Sequence, residues 1–457
     1  MSRDPWFQTG STGLLTDLYE ISMAACYFEQ RMSQPATFSL FVRKLPQNRS
    51  FLLAAGLEEA LDYLENLRFG PQAIDYLRST GHFKEPFLKH LAELRFSGEV
   101  VAVAEGTPIF PDEPLLEVTA PIMEAQLAET YLMNAIQLGT LIASKAARIR
   151  FAARDKTLMD FASRRAQGRD AALKVARSSF IGGCNATSNV LAGMEYGIPV
   201  QGTLAHSFVQ SFQEEIEAFR AFARVFPDDA VLLIDTYDTL EGARRAVKVG
   251  KEMARQGAKL RGVRLDSGDM VHLAKEVRRI LDDGGQTDAK ILASGSLDEY
   301  RIEDALAAGA PIDGFGVGSH LGVSSDAPVL DIVYKLVEYN HRPVLKLSQD
   351  KQTLAGRKQI FRRYAASGRM EEDVLALREE KLDGLQALLT PVMKGGKRLA
   401  EPPALPAIQQ HAAESLSKLP SSLRALRGTN PYLVRRSEAI RELQSKLVEE
   451  HGGMVSR

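Results

Sequence analysis

The chain has 457 residues, 45% hydrophobic and 25% charged, the balance of a globular protein with ample material for a large core. Lys and Arg total 57 against 58 Asp and Glu, a formal net charge of −1, which argues against a protein that grips nucleic acid or membrane through bulk positive charge while leaving room for a local basic patch. Two cysteines, Cys26 and Cys184, exclude a disulfide framework; residues 1–8 lack a signal peptide's apolar core and no apolar stretch is long enough to span a bilayer, so the expected location is the cytoplasm.

Residues 1–122 mix helix and strand. Amphipathic stretches over 14–28 and 52–67 predict helices, and 99–104 and 115–119 predict short strands set off by Gly106, Pro108, Pro111 and Pro114. This is the pattern of a small α+β, sandwich-like domain. Residues 123–155 carry one long helical pattern without proline, a connecting helix. From 156 to 322 short apolar runs alternate with helical stretches. The runs lie at 157–160, 198–203, 231–235, 262–266, 291–294 and 312–317, with helices expected over 214–225, 240–256, 270–282 and 297–308. One strand every ~30 residues is the spacing of a βαβ unit, and such units in series make a parallel barrel or a doubly wound sheet. Residues 323–457 are less regular. There the basic run 341–370 reads as a solvated face, 402–406 and 415–422 as loop, and 436–450 as an exposed helix.

The polar residues of the 156–322 region sit where each apolar run ends. They are Asp160, then Thr203 and His206, Asp235 and Thr236, Arg264 and Asp266, Ser294 and Gly295, and Gly316 and Gly318. A single strand-end Asp is an ordinary helix cap. A whole series of polar strand ends is how a barrel builds a site on its C-terminal face.

Individual motifs carry different chemistry. The glycine-rich turn at 314–322 and the Ser/Gly turn at 293–298 come at consecutive strand ends, where backbone N–H groups can hold a phosphate; an empty tight turn is the alternative. Arg264 and Asp266, two apart on an extended segment, share one side, the Arg suited to a carboxylate or a ring and the Asp to ribose hydroxyls. The plainer reading is a salt-bridged strand end followed by an Asp269 helix cap. His206 suits a base, a nucleophile or a phosphate carrier, with Asp235 one unit later able to hold a ring nitrogen; a lone His is more commonly structural. Phe161, Arg164 and Arg165 put an aromatic ring and two cations at another strand end, or a solvated helix start. Walker A, H-E-x-x-H, C-x-x-C and G-x-S-x-G motifs are absent from the sequence.

In order, Leu14-Leu-Thr-Asp-Leu-Tyr-Glu, Asp160-Phe-Ala-Ser-Arg-Arg-Ala-Gln-Gly, Thr187-Ser-Asn-Val-Leu-Ala-Gly and Gly202-Thr-Leu-Ala-His-Ser-Phe form one set. Asp235-Thr-Tyr-Asp-Thr, Val263-Arg-Leu-Asp-Ser-Gly-Asp, Gly316-Val-Gly-Ser and Val333-Tyr-Lys-Leu-Val-Glu continue it. Over residues 14–363 the set closely resembles the nicotinate phosphoribosyltransferases. The resemblance implies an irregular, TIM-like α/β barrel over 156–322. It also implies an N-terminal α+β sandwich-like domain completed by a return segment within 323–457, the rest of which is a C-terminal extension. The implied reaction joins nicotinate to phosphoribosyl pyrophosphate, releasing pyrophosphate, with ATP as co-substrate and Mg²⁺ as cofactor, the entry to NAD salvage. A homodimer with shared active sites is implied as well. The alternatives are the nicotinamide enzyme and a non-catalytic nucleotide-binding barrel.

The same resemblance places Tyr19 and Phe161 on the pyridine ring and Thr203 and Arg264 on nicotinate. It places Arg164 or Arg165 on phosphate or nicotinate, Asp266 on ribose, and Gly295, Ser296, Gly316, Gly318 and Ser319 on the 5′-phosphate. It makes His206 the residue that ATP phosphorylates, oriented by Asp235, and implies no protein-built metal site. Two residues depart from the family pattern, Ser319 in place of threonine and Ala355 in place of proline; the hydroxyl and the neighbouring cations survive both changes.

Overall fold

Residues 36–42 read Ala-Thr-Phe-Ser-Leu-Phe-Val, with no charge, and every one of them is buried. A strand buried on both faces needs a neighbour at each edge. In the computed structural model, which describes residues 10–347 and 353–455, Pro35–Val42 lies antiparallel to Pro114–Pro121 on one side and to Ile332–Tyr339 on the other. Lys351 and its neighbours in the basic run, 348–352, lie outside the described residues.

These three strands centre a seven-stranded sheet in the first of two units, Met1–Leu141 with Val329–Arg457. Its outer members are Arg342–Pro343 on one flank and Glu99–Ala102, Thr390–Lys394 and Lys397–Arg398 on the other. A second sheet of four strands joins Gln386–Ala387, Lys358–Tyr364, Met370–Leu377 and Leu433–Arg436. The expected helix over 123–155 is two helices, Ile122–Gln126 and Glu129–Ala153, and the division between the units falls inside the longer one. Among the described residues, no helix is long and apolar enough to cross a membrane.

The second unit, Ile142–Pro328, is built on a parallel sheet of six strands. Their order is Ala186–Thr187, Thr157–Asp160, Gly314–Val317, Lys290–Ala293, Gly262–Leu265, Val231–Leu233. The last strand in sequence pairs with the first, Gly316 opposite Met159. A single bridge from Thr187 to Val200 extends the other end. The order is therefore that of a ring of parallel strands, open along one seam between Val200 and Val231–Leu233, where no ladder is formed among the described residues. Pro199 and Gly202 flank the bridge; proline has no N–H to give a ladder and glycine weakens one, so this edge stays irregular.

Between the strands run the helices Thr239–Ala254, Met270–Asp283 and Glu299–Ala307, each opened by an Asp. Asp238 accepts from the Glu241 N–H, Asp269 from those of Val271 and His272, and Asp298 from that of Arg301. Three strand-end carboxylates are thus spent on helix caps.

Candidate active site

The first strand end is closed by Asp160, which is 1% exposed. Its Oδ1 accepts from the Ala162 N–H and its Oδ2 from the Thr187 hydroxyl, both at 2.8 Å. Burial holds its carboxyl above the usual range, against those two bonds. The carboxylate ties two neighbouring strand ends together and shapes the turn that carries Phe161, whose N–H donates to Val317 O at 2.9 Å. Gly316 is not in the glycine-rich turn where it was expected. It lies within the Gly314–Val317 strand, and a Cβ there would come 2.3 Å from the Phe161 ring, so its missing side chain makes room for that ring. Gly318 and Ser319 do stand beyond the strand end, at the start of Ser319–Gly322.

Arg164 and Arg165 both sit exposed in the turn Ser163–Arg165. The structure separates them. Arg164 lines a cavity of about 380 Å³ with Arg169, Asn189 and Leu191, and its charge bears on Arg264; Arg165 does neither.

Across the seam, side chains do what the backbone does not. An Arg264 guanidinium N–H donates to the Thr203 hydroxyl. The Arg264 side chain is 13% exposed, and its Nε is buried with no partner among the described residues. Burial lowers its pKa, while Asp266 and Asp235 oppose that. A buried, incompletely paired guanidinium is costly, and its planar fork matches a carboxylate.

Asp235, Asp266 and Ser294 link three successive strand ends. Asp235 Oδ2 accepts from the Asp266 N–H at 3.0 Å and the Ser267 hydroxyl at 2.6 Å, while its Oδ1 is buried without a hydrogen-bond partner among the described residues. The Ser294 hydroxyl donates to Asp266 Oδ1 at 2.5 Å. Gly295 then turns the chain at φ +88°, where a Cβ would lie 1.8 Å from the Asp266 carbonyl oxygen, so only glycine fits. Ser296 follows at φ +49°, its carbonyl accepting from Arg301.

The His206 ring does not meet Asp235, contrary to expectation. Its Nδ1 lies 3.1 Å from the Thr236 hydroxyl oxygen and its Nε2 is 4.0 Å from Asp266 Oδ2. Asp235 turns its Oδ2 to the backbone and hydroxyl of the next strand end, and the neighbouring Thr236 faces the imidazole.

Three family profiles match the chain. The nicotinate phosphoribosyltransferase N-terminal domain covers residues 14–137, the family core 156–368 and the C-terminal domain 383–444. A nicotinate phosphoribosyltransferase of Mycobacterium tuberculosis is 48% identical over 429 residues, 93% of this chain and 92% of that protein. One from Bacillus subtilis is 41% identical, covering 84% of this chain and 79% of its own length. The crystal structure of human nicotinic acid phosphoribosyltransferase superposes with a TM-score of 0.86 at 30% identity, over 94% of this chain and 99% of that one.

The chain belongs to the nicotinate phosphoribosyltransferase family.

Its C-terminal domain match reaches residues beyond 370 that sequence reasoning left unassigned. The second unit of this family member gathers Thr203, His206, Arg264 and Asp266 through direct contacts or near approaches. Tyr19 lies in the first unit, 46% exposed on the helix Leu18–Glu29. Its neighbour Glu20 is wholly buried and accepts from the Thr130 N–H at 3.1 Å and from the Thr16 hydroxyl at 2.6 Å, which fixes the helix and leaves Tyr19 facing outward. Burial and the adjacent Glu129 raise the Tyr19 hydroxyl's pKa, keeping it a neutral donor. Sequence reasoning gave no role to Ser267, and it placed Ser294 only among the polar strand ends and in the Ser/Gly turn, not as the group that holds Asp266. The available signal was position, since each hydroxyl sits within two residues of a strand-end carboxylate or glycine already singled out.

Proposed function

We propose that this chain is a nicotinate phosphoribosyltransferase of NAD salvage, coupling formation of nicotinate mononucleotide to ATP hydrolysis. The observation that carries the reading is the buried Arg264 with its unpartnered Nε beside Thr203, a site that calls for an anion the size of a carboxylate. Relatives at 48% and 41% identity named for this activity support it.

In this reading the nicotinate carboxylate pairs with Arg264 and its ring lies against Phe161. Asp266, held by Ser294, takes the ribose hydroxyls. The bond from ribose C1′ to the diphosphate oxygen breaks, and the diphosphate leaves with the electron pair. The pyridine nitrogen then bonds to the oxocarbenium-like carbon. No protein nucleophile takes part; positioning and charge do the work. The turn at Gly295 and Ser296, with Gly318 and Ser319 one strand on, receives the 5′-phosphate. Arg164, which lines the cavity with Arg169 and Asn189, is the cation of that pair assigned to ligand.

The residues fit a Mg²⁺ ion held mainly by substrate. Among the described residues, Asp235 Oδ1 is buried without a hydrogen-bond partner, an oxygen free to meet a cation. Asp235 and Asp266 would supply protein oxygens and the diphosphate and water the rest. Bound there, Mg²⁺ would offset the charge of the leaving diphosphate. His206 is the residue that ATP phosphorylates. The functional form is a cytoplasmic homodimer. The outward Leu15, Leu18 and Tyr19 support this, as do Val190 and Met194, 71% and 70% exposed; such apolar surface asks for cover. Tyr19 then serves the pyridine ring bound by the partner subunit.

The test is mononucleotide formation from phosphoribosyl pyrophosphate and Mg²⁺, with nicotinate and nicotinamide side by side, with and without ATP, for wild type and His206→Ala. Nicotinate turnover that ATP accelerates only when His206 is present is the expected result. Turnover of nicotinamide alone would assign the sister activity. Ligand binding with no turnover of either would leave only a nucleotide-binding barrel.

A further inference from the structure

We infer that Lys145 is a positioning residue for the 5′-phosphate: it ties the segments behind both phosphate turns to one buried ammonium and so sets the spacing of the two halves of the cradle. The inference rests on the reading of the turns at Gly295 and Ser296 and at Gly318 and Ser319 as the phosphate site. Each turn leads into a carboxylate. Three residues past Ser296, Glu299 opens the helix Glu299–Ala307; past Ser319, the short helix Ser319–Gly322 runs out into a loop that carries Asp326. Lys145, in the second-unit part of the helix Glu129–Ala153, donates to both, to Glu299 Oε2 at 2.5 Å and to Asp326 Oδ1 at 2.7 Å. Nearly one turn further along that helix, Arg148 Nε donates to Glu299 Oε1 at 2.9 Å. Lys145 is 1% exposed and Glu299 is wholly buried.

A buried ion pair is weak evidence for stability, because apolar residues of the same volume often do as well. What it supplies here is geometry. Charge-assisted hydrogen bonds are short and strong, so two chain segments bonded to one ammonium are held at a fixed separation. The turns need such a hold. Ser296 lies at φ +49°, and Ser324, wholly buried two residues before Asp326, lies at φ +43°. Residues other than glycine rarely take a left-handed backbone, and they keep it only where the surroundings fix it. On the first side Arg301 also binds the Ser296 carbonyl at 3.0 Å; on the second the Ala327 N–H binds that of Ser324 at 2.8 Å. A phosphate spanning both turns needs both at once, and a slip of one against the other by an ångström breaks the match.

Lys145→Met would strand the Glu299 carboxylate in the interior and so tests the fold more than the cradle. Asp326→Asn is the decisive variant, since the Asp326 side chain is 27% exposed and Lys145 keeps Glu299. In full-length protein, Asp326→Asn is expected to weaken the binding of ribose 5-phosphate about tenfold in isothermal titration calorimetry, the low end for losing a hydrogen bond to a charged group. The KM for phosphoribosyl pyrophosphate should rise by a similar factor. The KM for nicotinate and the thermal midpoint should move little, and Asp326→Glu, which returns the carboxylate, should recover the affinity. An unchanged ribose 5-phosphate affinity overturns the proposal. So does an equal rise in both KM values, or a loss confined to kcat and the thermal midpoint, the signature of a merely structural tie. Ribose 5-phosphate binding is read without nicotinate, so a protein that turns over no nicotinate would sink the functional reading while Asp326→Asn still decides for or against Lys145. A wild type that takes neither ribose 5-phosphate nor phosphoribosyl pyrophosphate would overturn the phosphate turns and this proposal together.

Discussion

Two strand-end regions of the same parallel sheet are built on opposite principles. Around Phe161 the polar groups are paired: both Asp160 oxygens accept bonds, the Phe161 N–H is bound, and Gly316 leaves the ring a fitted space. Around Arg264 the network is incomplete, with Arg264 Nε and Asp235 Oδ1 both buried and without a hydrogen-bond partner among the described residues. The first region acts by shape, offering a flat ring in a fixed place. The second acts by charge that the protein itself leaves partly uncompensated. Unpaired buried polar atoms are expensive, so where they cluster at a strand edge they mark the groups that a ligand completes.

The sharpest way to break this comparison is to remove the unsatisfied cation. Arg264→Ala should lower kcat/KM for nicotinate roughly 10²- to 10³-fold, the effect of deleting one partner of a buried charge pair worth about 3–4 kcal/mol. Steady-state kinetics checks it, and a change under fivefold would show that the nicotinate carboxylate is held elsewhere. The shape region should fail differently. Gly316→Ala drives a Cβ into the Phe161 ring and should cost about 1–3 kcal/mol of stability, read in the thermal midpoint. Adding Phe161→Ala should return part of that loss while lowering nicotinate affinity; two strictly additive losses would mean the ring and the glycine do not compete for space.

Asp160→Asn should have a smaller effect, about 1–2 kcal/mol, because an amide still accepts from the Ala162 N–H but offers Thr187 a second donor in place of an acceptor. The smallest effect is its pH dependence. Burial raises the Asp160 pKa, so the folded state holds its proton at a pH where the unfolded chain has lost it. Its contribution to stability is present in acid and fades as pH rises through the raised value. The stability of wild type relative to Asp160→Asn should therefore grow as pH falls from neutral toward the ordinary aspartate range. A flat difference would mean the carboxylate pays no desolvation penalty where it sits.

Much of the second unit was readable from sequence because parallel strands are buried on both faces and stand out as apolar runs. The runs at 157–160, 231–235, 262–266, 291–294 and 312–317 each contain or overlap a strand. The run at 198–203 yields only the bridge at Val200, and the two-residue strand Ala186–Thr187 carries too little pattern to be seen. In the first unit, the strands Lys358–Tyr364 and Met370–Leu377 were hidden behind charged residues. Arg362 and Asp373 form a buried pair there, with Arg362 1% and Asp373 0% exposed, so core strands looked like a solvated basic run. The site was legible as a set of strand ends, but its pairings were not. That Asp235 reaches forward to Asp266 and Ser267 while Thr236 faces His206 depends on the angles at which neighbouring strands end, which no spacing along the chain encodes.

The open seam has a consequence for how this protein breathes. Among the described residues the side of Val231–Leu233 turned away from Gly262–Leu265 carries no strand, and the Arg264–Thr203 and His206–Thr236 contacts are side-chain ties across the opening. On the proposed reading, a substrate bound at Arg264 and Asp266 would add a rung in place of the missing ladder. Amide hydrogen exchange should then slow on both banks of the seam, around 200–206 and 231–236, when nicotinate and phosphoribosyl pyrophosphate are present. The closed part of the ring, Thr157–Asp160 against Gly314–Val317, should exchange at nearly the same rate with or without them.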